Sequence, residues 1–145
     1  MKNIIIIIPA FWRGAYKAGE EETQSLLWDA YGVLTDASHE LIGEANEQLV
    51  AWGCEPEMDD RTAMVVQQLE RLAGAVRAAA MSMDEVVKCL GHEEYYVHAM
   101  GCPLNGGALA RARRTARAHG CILQDFLRRS GLRLRERSMG VEVVL

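Results

Sequence analysis

Ser82-Met83-Asp84-Glu85-Val86-Val87-Lys88-Cys89-Leu90-Gly91-His92-Glu93-Glu94-Tyr95-Tyr96-Val97-His98-Ala99-Met100-Gly101 is the stretch on which the reading of the fold turns. Ser82 followed three residues later by Glu85 is a capping box, in which each side chain serves the other's free backbone N–H at a helix start. Val86 and Leu90 give that helix an apolar side, and Gly91 offers the left-handed backbone that ends a helix. A second short helix is expected from about Glu93 to Met100, with Val97 as its anchor. The stretch thus predicts two short helices that cross at Val87 and join through Gly91.

Working outward, the residues after Gly101 form a loop of Gly, Pro and Asn, then a helix predicted over Ala108–His119 and stopped by Gly120. At 100° per residue Leu109, Ala112, Thr115, Ala116 and His119 share one face of it, and Arg111, Arg113, Arg114 and Arg117 fan over the other. A last helix is predicted over Ile122–Arg129, ended by Gly131. Leu132-Arg133-Leu134-Arg135 and Val141-Glu142-Val143-Val144 then read as a β-hairpin turning at Ser138-Met139-Gly140. Toward the N-terminus, Asp60 caps a long helix with Val65, Leu69, Leu72 and Val76 on its apolar stripe. The loop from Cys54 to Asp59, with Pro56, is the best domain boundary. Before it, a helical hairpin is expected: Glu20–Leu34, then a helix capped by Asp36 or Ser38 and ended by Gly53. The run Ile4–Ile8 predicts a strand buried on both faces, with the C-terminal hairpin as its partner.

From Arg77 to about Leu127 the chain resembles the lambda-repressor/Cro-like helix-turn-helix family. Val87 stands at the helix crossing, Gly91 four residues later in the turn, and Val97 six beyond that in the second helix. Thr115-Ala116-Arg117-Ala118-His119-Gly120-Cys121-Ile122-Leu123-Gln124-Asp125-Phe126-Leu127 resembles the junction of that family's fourth and fifth helices. The spacing from Val97 to Ala116 matches its loop length. The resemblance covers a little over a third of the chain. It implies a bundle of five short helices, placed over residues 59–131; with the strand and helical hairpin read over residues 1–58 and the hairpin over 132–145, a mostly α protein with a small sheet from the chain termini is expected. By the same resemblance His92, Glu93, Glu94, Tyr95, Tyr96 and His98 would face the major groove of double-stranded DNA, and the protein would act as a homodimer on paired half-sites. The phosphate contacts would come from Lys88, Arg111, Arg113, Arg114 and Arg117. The function so implied is a transcriptional regulator of the kind phages and mobile elements encode.

The charge pattern keeps a second reading open. Residues 1–70 hold 4 Lys/Arg against 13 Asp/Glu, and residues 71–145 hold 12 against 7. Nine arginines, no lysine and two acids lie between Pro103 and Arg137. Such a segment meets something anionic, either phosphates or the chain's own acidic half. Glu93 and Glu94 are poorly placed against phosphates, and Met83 replaces the family's phosphate-contacting Gln. The alternative is therefore a protein-interaction module, such as an antirepressor or a phage inhibitor of a host complex, that binds protein through Glu93, Glu94, Tyr95 and Tyr96. No Gly-rich phosphate loop, nucleophile elbow or apolar carboxylate pair points to an enzyme, and no cofactor is expected. Cys54, Cys89, Cys102 and Cys121 show no Cys-x-x-Cys spacing, so neither a metal site nor a disulfide framework is expected. The apolar run from Ile4 to Trp12, broken by Pro9 and Arg13, is too short to span a bilayer. A cytoplasmic protein, with no membrane partner, is the expectation.

Overall fold

A computed structural model describes residues 5–9, 19–51, 53, 60–99, 106–137 and 140–144, with the side chains of 45–50, 92–99 and 106 left aside. It contains β1 (Ile5–Pro9), α1 (Glu20–Ala51), α2 (Asp60–Ala99), α3 (Gly106–Arg129), β2 (Arg133–Glu136) and β3 (Gly140–Val144). The architecture is mostly α, with a small antiparallel sheet made from the two ends of the chain.

The helices are fewer and longer than the sequence reading expects. α1 is one helix of 32 residues, not a hairpin, and Asp36 and Ser38 lie in its interior instead of capping a second helix. α2 runs for 40 residues, passing without a break through Ser82 and Gly91. α3 passes likewise through Gly120. Five short helices with a turn at Gly91 are therefore replaced by two continuous ones. The physical reason lies in what fills these helices. No proline occurs between Pro56 and Pro103, and Ala73, Ala75, Ala78, Ala79 and Ala80 are the strongest helix formers. Against them, Gly91 costs about 1 kcal/mol in a helix interior, which burial of Met83 and Val86 on the same helix outweighs. The Ser82 hydroxyl donates back to the Ala78 carbonyl, 2.9 Å away, and so caps nothing. True ends occur where the backbone turns left-handed: Gly53 at φ 73° after α1 and Gly131 at φ 70° after α3, both as expected.

α2 is the central helix, packed on α1 along one side and on α3 along the other. Its small Ala73, Ala79 and Ala80 are buried in these contacts. Leu69, Leu72 and Val76 are buried as expected, but Val65 is exposed and its neighbour Val66 takes the core position. β1 pairs antiparallel with β3, which also pairs with β2, giving the order β1-β3-β2. That is the hairpin and N-terminal partner the sequence predicts. β1 is buried on one face only: Ile6 and Ile8 point to the core beside Val143 and Val141, whereas Ile5 and Ile7 are exposed. Ile6 and Ile8 of β1 and Val141 and Val143 of β3 face inward because side chains alternate along a strand, whereas β2 is exposed along its whole length. Among the described residues one apolar cluster, including Ile6, Leu27, Leu72, Leu123 and Val143, draws on β1, on the three helices and on β3.

Candidate functional site

Two side chains of α1 converge on one carboxylate of α2. Gln24 Nε2 and Trp28 Nε1 donate to Asp84 Oδ1 at 2.6 and 2.9 Å, and Trp28 stacks edge-on against Tyr31 with ring centroids 5.8 Å apart. Asp84 thus clamps two helices, where the sequence alone places it inside a recognition motif. Lys88, one turn further along α2, is exposed. His92, Glu93, Glu94, Tyr95, Tyr96 and His98 belong to the last two turns of the same helix. They continue its backbone rather than start a separate reading helix, and their side chains lie outside the described residues.

α3 carries six arginines and one acid, Asp125. Leu109, Ala116, Leu123 and Leu127 are its buried seam. Thr115, expected on that seam, is exposed, and His119 is half-buried beside Cys89 and Glu85 in a groove against α2. Arg111, Arg114 and Arg117 are exposed. Helical phase spreads these three over the side opposite the seam, within about 9 Å of axis. Arg113 behaves differently. Its Nη2 lies 2.7 Å and its Nε 3.3 Å from the two carboxylate oxygens of Glu20, in the first turn of α1. The fork-to-fork geometry orients both partners, although a pair this open to water contributes only about 0–1 kcal/mol. Of the five expected phosphate contacts, then, three share one face, Arg113 grips the acidic N-terminal half, and Lys88 stands on another helix.

The seam between α2 and α3 holds a feature that sequence reading misses. Met64 and Val65 of α2 and Ile122 of α3 are exposed beside half-buried Phe126, along a groove of about 780 Å³. The signal available in sequence was weak: Met64 and Ile122 sit next to residues of the apolar stripe, and only the crossing of the two helices decides which neighbour is covered. Among the described residues no three His, Cys, Asp or Glu side chains gather to hold a metal ion, and no helix is long and apolar enough to cross a membrane. No protein-family description, curated protein or solved structure matches the chain.

Proposed function

We propose that the protein binds double-stranded DNA as a regulator of transcription, and that the outer face of α3 is the surface that meets the duplex. The observation that carries this reading is the exposure of Arg111, Arg114 and Arg117 together on a helix whose one acid is Asp125. An α-helix fits the major groove of B-DNA, and guanidinium groups make paired hydrogen bonds to phosphates and to guanine. This replaces the helix-turn-helix mode, since α2 has no turn at Gly91. Arginines set mainly against phosphates position a protein without reading sequence, so discrimination between duplexes is expected to be modest.

Salt tests it directly. Three arginines that displace counterions give a log–log slope of binding against salt near −2.7. Arg114→Ala should weaken all duplexes alike and reduce that slope by about one unit. Failure to bind any fragment of a random genomic duplex library at low salt refutes the reading.

The unbroken α2 favours one other reading, a protein-interaction module in which the Glu93–Tyr96 stretch meets a protein instead of DNA. Under it Glu93→Ala and Tyr96→Ala abolish capture of a specific protein, while Arg114→Ala leaves capture unchanged.

A further inference from the structure

We propose that the groove between α2 and α3 is a docking site for an acidic amphipathic helix of a partner protein. Its floor is apolar and open: Met64 is 71% exposed and Ile122 59% exposed, with Val65 and Phe126 between them. Large apolar side chains left this far in water, gathered in one concave strip, mark a surface that something covers. Methionine in such a floor adapts to differently shaped anchors.

The rim specifies the charge of that partner. Arg61, Arg71 and Arg129 line the groove and are exposed, against one acid, Asp125. The remaining polar lining is neutral, and it fixes the walls: Gln68 Nε2 donates to the Ser130 carbonyl, tying the end of α3 to α2. A preformed groove loses less entropy when a ligand docks.

Length fits a helix. Arg61 and Arg71 are ten residues apart, about 15 Å along α2. Apolar anchors at positions i, i+4 and i+7 of a docking helix span about 10.5 Å, which leaves acidic residues at either end within reach of the arginines. Duplex DNA satisfies the arginines but offers nothing to cover Met64 and Ile122. The groove shares no lining residue with Arg111, Arg114 and Arg117, so substitutions separate it from DNA binding.

The probe is a fluorescent peptide of about 14 residues, with leucines on one helical stripe and glutamates flanking it. A scrambled peptide and a lysine-flanked peptide serve as controls, and anisotropy is measured with the full chain. Saturable binding of the acidic peptide alone is expected. Ile122→Glu should weaken it about tenfold or more, and Arg114→Ala should leave it within about twofold. Arg61→Glu combined with Arg71→Glu should lose the acidic peptide and gain the lysine-flanked one, a reversal that an unfolded variant cannot show. Equal binding of the scrambled peptide, no binding by the wild type, or full competition by duplex DNA overturns the proposal. So does a self-associating protein that Ile122→Glu converts to monomer, because the occupant is then a second copy.

Discussion

Ser38 is 4% exposed in the interior of α1, and its hydroxyl has no hydrogen-bond partner among the described residues. A buried polar group left unpaired costs about 1–3 kcal/mol. Ser38→Ala removes that cost and substitutes a better helix former, so it should raise stability by up to about 1 kcal/mol. Chemical denaturation reads this, and a loss of stability would mean that the hydroxyl has a partner after all. Thr35, one turn earlier, shows the ordinary solution: its hydroxyl donates to the Tyr31 and Gly32 carbonyls at 3.1 and 2.9 Å. Gly91 offers the sharper test. It is exposed, its φ is not positive, and a methyl group there meets nothing within 4 Å. Gly91→Ala should therefore stabilise the protein by roughly 0.5–1 kcal/mol, whereas a left-handed turn at that position would make the same change destabilising.

Among the elements, the sheet depends on one close approach. A side chain at Gly140 would collide with the Ile8 carbonyl oxygen and lie 2.8 Å from the Pro9 Cα. Gly140→Ala should force β3 away from β1 and cost about 2 kcal/mol or more, with faster amide exchange confined at first to the strands. The strands were also the elements most legible in sequence. Five consecutive β-branched isoleucines bounded by Pro9, and the alternation around Val141, are strand signals that a helix seldom imitates, and β1 had no other partner. Helix existence was equally legible, but helix ends were not. Ser82 and Asp36 are local start signals and Gly91 and Gly120 local stop signals, each worth about 1 kcal/mol, and long Ala-rich helices with a shared core override them. Gly53 and Gly131 did end helices; Gly53 has Pro56 just beyond it, and Gly131 is followed by a strand. Phase gave Arg111, Arg114 and Arg117 as exposed arginines of α3 but also Arg113, which pairs with Glu20 of α1 instead. The groove between α2 and α3 was not readable, because exposure of Met64 and Ile122 is a property of two helices together.

At the scale of the molecule, the two sheet edges are unlike. β2 is guarded by Arg133, Arg135 and Glu136, charges that discourage a further strand. β1, at the other edge, presents Ile5 and Ile7 exposed, and among the described residues no strand lies beyond it. The homodimer that accompanies the DNA-binding proposal would use this edge, joining two sheets about a two-fold axis. Sedimentation velocity should show a dimer that Ile7→Lys dissociates, and a monomer at all concentrations would count against it. The pairing of β1 with β3 also has a consequence in time. Their closest partners, Pro9 and Gly140, are 131 positions apart in the chain. At roughly 5–20 residues per second, a ribosome needs on the order of ten seconds to reach β3 after β1 has been made. For that interval the isoleucine strand has no partner from its own sheet, and a nascent chain carrying it is a natural client for a chaperone that holds extended apolar segments.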